Sequence, residues 1–211
     1  MQALVQLVVA LETLLLPAWV AAVGVSPPAP LVRRLGRALG LVALLGAAAV
    51  VLGAIGGDGL AWGAVKSQAV AVAFAVLVAG VAQALERLVG VRAAQGLAAV
   101  AGWLILGGVI LAGPAAELTS GSVRAGLIHV AVGGNPLVMA ERELGNDWLH
   151  SSLTYVLTPI GESYSYLLAD LAWWKTALWH LFIGSGLLVF SLRRRPREEG
   201  RVRGEDTPHA G

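Results

Sequence analysis

The run AGLIHVAVGGNPLVMA, residues 125–140, decides how this chain is read. It is 16 residues long and uncharged, and it invites reading as a membrane crossing. A helix needs about 20 apolar residues in line to cross the hydrocarbon. This run is shorter, and Gly133-Gly134-Asn135-Pro136 interrupts it. Whether it crosses fixes the number of spans and therefore the side on which every loop lies.

The segment around it, residues 114–174, differs from the rest of the chain. It holds six of the 13 acidic residues, two of the four His (His129 and His150) and all three Tyr. Elsewhere the chain is apolar: 57% of all residues are hydrophobic, 13% are charged, and mean hydropathy is +0.75. A soluble domain carries roughly 25% charged residues. Apolar stretches long enough to cross the bilayer occur at about 3–25, 39–55, 69–85, 93–112 and 176–192. The fold class is therefore all-α: a polytopic helical membrane protein with about five transmembrane helices plus an outer re-entrant or amphipathic hairpin before the last span. A membrane barrel would show alternating segments of about ten residues, and none is present. With no Cys, the chain has no disulfide, no catalytic thiolate and no Cys-ligated metal. The absence of a positive stretch before the first span argues against a cleavable signal peptide.

Charge supplies the topology. With five spans and the N-terminus outside, the cytoplasmic side receives Arg33, Arg34, Arg37, Arg87, Arg92 and the six arginines from Arg193 to Arg203. The outer side keeps Lys66, Arg124, Arg142 and Lys175. A sixth span through residues 125–140 would break this alternation. The expected organisation is four transmembrane helices in 1–113, an outer hairpin with interfacial helices in 114–174, a last span in 175–193, and a basic disordered cytoplasmic tail in 194–211. In the hairpin, one leg runs near 124–132, a turn occupies 133–136, and a second leg runs near 137–144. Loops are expected at 26–37, 56–68 and from Gly113-Pro114 onward. Trp148, Trp173, Trp174, Trp179 and the Tyr residues are expected as an interfacial aromatic belt.

The candidate functional residues fall into three groups. Inside the membrane, Glu12, Gln83, His129 and His180 are polar groups that need a partner or a purpose. Glu12 is expected to serve as a proton or cation site, to touch another subunit, or to hydrogen-bond to Gln83 or Gln6. At the outer hairpin stand Asn135, Pro136, Glu141, Glu143, Asp147, His150 and Glu162. Glu143, Asp147 and His150 have helical spacing for a metal face, but Gly145-Asn146 reads as a helix end and a new cap, which breaks that face. No metal and no cofactor are expected. Glu141-Arg142-Glu143 reads as a solvated turn with local ion pairs. At the cytoplasmic side, Arg33, Arg34 and Arg37 are candidate partner contacts. There is no Gly-Lys-Ser/Thr phosphate loop, no His-Glu-x-x-His and no Gly-x-Ser-x-Gly. No internal repeat and no nucleic-acid signature appear.

Residues 135–195 carry Asn135-Pro136 at a hairpin turn, the Tyr-rich stretch from Tyr155 to Tyr166, His180 in the last span and Arg193 to Arg195 beyond it. This pattern resembles the C-terminal part of type-2-class bacterial ABC exporter permeases. The resemblance implies a membrane subunit in a bacterial cytoplasmic (inner) membrane that dimerises and works with a separate ATPase. It implies that Arg33, Arg34 and Arg37 lie at the ATPase contact, with the hairpin at an outer gate. The family usually has six spans with a cytoplasmic N-terminus, whereas this chain reads as five with the N-terminus outside. The alternative is a non-catalytic structural or assembly subunit of a larger membrane complex, held by Glu12 and small-residue helix faces. A third reading, a membrane enzyme, needs Glu141, Glu143, Asp147, Glu162 and His150 to converge. The expected surroundings are the lipid bilayer and either an ATPase or other membrane subunits, without nucleic acid.

Overall fold

Long apolar segments with few charges satisfy their backbone groups within themselves, so helices are what this composition dictates in lipid. The computed structural model describes residues 1–24, 30–146 and 172–193. It is all-helical. Among the described residues the order is α1 (Gln2–Gly24), α2 (Leu31–Gly56), α3 (Asp58–Val89), α4 (Val91–Glu117), α5 (Gly121–Gly133), α6 (Pro136–Glu143) and α7 (Trp173–Arg193). The helices α1, α2, α3, α4 and α7 are long and apolar enough to cross a membrane. The chain is a polytopic helical membrane protein, as its composition implies.

The helices are longer than the apolar runs suggest. Arg33, Arg34 and Arg37 lie in the opening turns of α2, not in a loop. Trp62 and Lys66, expected in a loop, lie in the first turns of α3. Helix α4 continues through Pro114 to Glu117. Flanking polar residues extend an apolar helix readily, because helical backbone bonds do not depend on side-chain polarity. The breaks shrink to single residues with positive φ, Gly57 (119°) between α2 and α3 and Gly90 (81°) between α3 and α4. Glycine alone adopts such angles without a steric cost. The linker 25–29, residues 147–171 and the tail 194–211 lie outside the described residues. So do the expectations placed there, including Asp147, His150, Glu162, Trp148, the Tyr residues and the cytoplasmic tail.

Helix α3 is the axis of the bundle. It packs against α1, α2, α4, α6 and α7, and more of its length is buried than that of any other span. Small residues permit this. Ala64, Ala71, Ala73, Ala75, Ala79 and Ala82 are all buried along it. Its closest neighbour is α7, which runs in the same direction: His180 sits beside Phe74, and Gly184 lies against Leu77 and Gly80. A Cβ on Gly184 would stand 2.7 Å from the Leu77 backbone, and one on Gly80 would stand 2.5 Å from the Gly184 carbonyl. The lipid-facing sides are the expected opposite faces. In α1, Leu4, Leu7, Leu11 and Leu15 are exposed while Val5, Val9, Leu16 and Val20 are buried.

Residues 125–140 do not form a straight span. They are divided between α5 and α6, two short helices bent 66° against each other at Gly134-Asn135. Ile128 and Val132 of α5 pack into one cluster with Val109, Ala112 and Ala116 of α4. Helix α6 starts near the midpoint of α4 and returns to the first turns of α1 and α3, where Ala140 and Leu144 join Val5, Val9 and Ala64. The segment thus enters the bundle as a bent helix pair, broken where the sequence places the turn, and finishes at the end of the bundle where α1 and α3 begin. That end is called the hairpin end below, and the opposite one, with Arg34, the arginine end.

The α3–α7 contact yields a clean test. Gly184→Leu forces the two backbones apart and is expected to cost roughly 1–3 kcal/mol, as overpacking does. The unfolding midpoint in detergent should fall. Gly186→Leu, where a Cβ meets nothing within 4 Å, should leave it unchanged.

Candidate functional site

Asn135 makes the hairpin possible. Its side-chain oxygen accepts from the backbone N–H of Leu137 (3.0 Å) and Val138 (3.2 Å), capping α6. Its amide nitrogen donates to the carbonyls of Leu106 (2.7 Å) and Ile105 (3.3 Å) in α4. The residue is fully buried. Pro136 follows at the first helical position, where its missing N–H costs nothing. On the α7 side, the Thr176 hydroxyl donates to the Gly133 carbonyl, and His180 lies against the Gly134 backbone. Every irregular peptide at the turn therefore meets protein, not lipid.

The far end of α6 is held as firmly. The side-chain amides of Gln2 and Gln6 in α1 donate to the Leu144 carbonyl at 3.0 and 3.2 Å. The Ser67 hydroxyl shares its proton between the Ala140 carbonyl (2.7 Å) and Gly63 (2.9 Å) in its own helix. Lys66 and Glu143 form an ion pair at 2.8 Å. Gly63 has room only for a hydrogen, because the Glu143 carbonyl occupies the place of a Cβ. Gly145, with φ of 73°, ends the helix as its sequence suggests.

Two expectations are corrected here. Glu141-Arg142-Glu143 is not a solvated turn. Glu141 is 3% exposed, and Glu143 pairs across to α3 instead of with its own neighbour. The reason is the tertiary position of α6, which the local charge pattern does not encode. Arg34 is likewise not a free contact. It is buried and pairs with Glu86 of α3 at 3.3 Å, leaving Arg33 and Arg37 exposed at that end.

Glu12 is buried on α1, and its carboxylate accepts from the Gln68 amide of α3 at 2.7 Å. Its partner is thus neither Gln83 nor Gln6. Gly46 of α2 leaves the space that the Gln68 side chain fills. The second oxygen of Glu12 and the carbonyl oxygen of Gln68 have no hydrogen-bond partner. Gln83 is buried in α3. His180 is buried against Phe74, with ring centroids 5.6 Å apart, whereas His129 is exposed on α5.

Glu141 points elsewhere. One carboxylate oxygen accepts from the Asn146 amide at 2.6 Å, while the other is buried without a partner. The residue belongs to the bent helix pair within the bundle, beside the five long spans. It lines a cavity of about 510 Å³ between α1, α4 and α6. The other polar lining residues are Gln6 and Asn146, and the rest of the wall is apolar. Glu141 and Glu143, two residues apart, serve different partners: the first faces the cavity, and the second pairs with Lys66. Among the described residues no group of three or more His, Asp or Glu is placed to hold a metal ion.

The tethers Gln2, Ser67, Gln68 and Thr176 were not singled out by sequence reasoning. Their signal was present, since each is a polar residue in an apolar helix. Comparison with family models, curated proteins and solved structures finds no match to this chain.

Asn135→Ala removes the cap and leaves two buried N–H groups unpaired, at a cost of about 2–3 kcal/mol. Hydrogen exchange should accelerate in α6 and remain slow in α3.

Proposed function

We propose that this chain is the membrane-spanning, permease-like subunit of an export or transport complex that works with a separate ATPase. The observation that carries the reading is the cavity beside the hairpin. It brings a buried carboxylate with an unpaired oxygen to the wall of a mostly apolar space of ligand size, inside the membrane-spanning bundle. Ligand pockets run to about 300–1,000 Å³, and ionisable groups at such depth mark substrate or ion paths. Purely structural subunits have no need of either feature.

The assembly reading relied on Glu12 as a contact for another subunit. Glu12 instead turns inward to Gln68, which withdraws its main support. In the transport reading the arginine end is cytoplasmic in a bacterial inner membrane, following the excess of basic residues. The exposed Arg33 and Arg37, beside the entry to α2, form the ATPase contact. Arg34 holds α2 to α3 behind them. The similarity of residues 135–195 to type-2-class exporter permeases points the same way, and in that reading the hairpin closes the outer end.

The test is co-purification from native membranes in mild detergent. A nucleotide-hydrolysing protein is expected with the tagged chain, and its absence overturns the proposal. Arg33→Glu combined with Arg37→Glu should weaken recovery of that partner by roughly tenfold, because reversed rim charges oppose docking. The unfolding midpoint should stay unchanged, since neither residue is buried.

A further inference from the structure

The cavity can be read more closely. Its walls come from two spans and the hairpin: Leu7, Ala10 and Leu14 of α1, Leu106 and Trp103 of α4, and Glu141 of α6. Leu7, Leu14 and Trp103 are also 55%, 43% and 47% exposed, so the space opens sideways between α1 and α4, toward lipid. The Trp103 ring N–H donates to the Leu14 carbonyl at 3.0 Å and ties the two helices across one side of it. Polarity is confined to the hairpin end. There the Gln6 amide is committed to Leu144, and the Asn146 amide to Glu141. What stays unpaired is one carboxylate oxygen of Glu141, a residue 97% buried in the cavity wall, with no ion pair among the described residues. The nearby Lys66 is taken by Glu143.

A buried carboxylate without a counter-charge is costly, and a proton or a cationic ligand relieves that cost. An apolar space with a single unpaired acceptor in its wall fits one chemistry. We infer that the cavity binds a drug-sized hydrophobic amine that enters from the lipid between α1 and α4, sets its ammonium on Glu141 and lays its apolar body along Leu7, Leu14 and Leu106. A neutral apolar molecule would leave the carboxylate unmatched, and an anion would be repelled. A multiply polar ligand would find no partners along the leucine walls. As cargo the amine rests on the transport reading, whereas as a ligand it stands by itself.

The experiment uses the full chain in phosphatidylcholine nanodiscs, with equilibrium dialysis of radiolabelled dodecylamine and empty nanodiscs as background. Saturable binding above background is expected. Glu141→Gln should weaken it roughly tenfold or more, the loss typical of breaking a buried charge pair. Gly107→Leu supplies a second variant that keeps the carboxylate. Gly107 lines the cavity, and a Cβ there meets nothing within 4 Å, so the added side chain fills the space without disturbing the helix. It should abolish saturable binding. Dodecanol should fail to displace the amine, and exchange of phosphatidylcholine for phosphatidylethanolamine should leave the affinity unchanged.

Absence of saturable binding, wild-type affinity in Gly107→Leu, or equal displacement by dodecanol overturns the inference. Loss of binding in phosphatidylethanolamine assigns the cavity to a lipid headgroup and overturns the drug-sized ligand. If Glu141→Gln does not fold, Gly107→Leu and the dodecanol competition decide. Dodecylamine binding without an ATPase partner upholds the site and removes the transport reading. An ATPase partner without binding removes the amine alone.

Discussion

Backbone that leaves the helix inside a bilayer has no water to turn to, and this constraint governs the hairpin end of the molecule. The break between α5 and α6 exposes peptide groups at the depth of the middle of α4. Asn135 answers with both ends of its side chain, capping α6 with its oxygen and holding α4 with its nitrogen. Thr176 answers from α7. Because α6 is held there, its other end reaches Lys66, Ser67 and the two glutamines of α1, and the cavity acquires its polar end. Take away the satisfied break, and neither the ion pair nor the placement of Glu141 has a cause.

The two ends of the bundle use charge differently. At the arginine end, Arg34 and Glu86 join α2 to α3 directly, helix to helix. At the hairpin end, Lys66 and Glu143 join α3 to the short helix α6 of the bent pair. Between them, contact is made by alanines and by the close approach of Gly184 to α3, where packing replaces polar bonds. Polar bonds also join the spans: Glu12 and Gln68 link α1 to α3 in a space that Gly46 leaves free, and the Trp103 ring N–H bonds the Leu14 carbonyl between α4 and α1.

The fold was largely legible because its signals are local and large. Apolar length gives the spans, arginine distribution groups their ends, and Gly133-Gly134-Asn135-Pro136 marks the hairpin turn where it is found. Helix boundaries were less legible. Lys66 and Arg34 look like loop residues by polarity, yet both sit on helices whose backbone bonds continue past the apolar run. The site was legible only in its inventory. Glu141 sits in a charged run that reads as a solvated turn, whereas Glu12, Asn135 and His180 stand out as polar residues in apolar surroundings. Their partners do not, since pairing Glu12 with Gln68 or Glu143 with Lys66 depends on helix rotation and depth, which no spacing rule supplies.

The hairpin lies before α7 in the chain but depends on it. Gly133 and Gly134 meet Thr176 and His180, residues synthesised after the whole hairpin has been made. While the chain is being inserted, α1, α3 and α4 can offer their contacts early, but the turn stays incomplete until the last helix is in place. Assembly of this protein therefore cannot finish in sequence order: the final span closes a structure that the chain has already passed through.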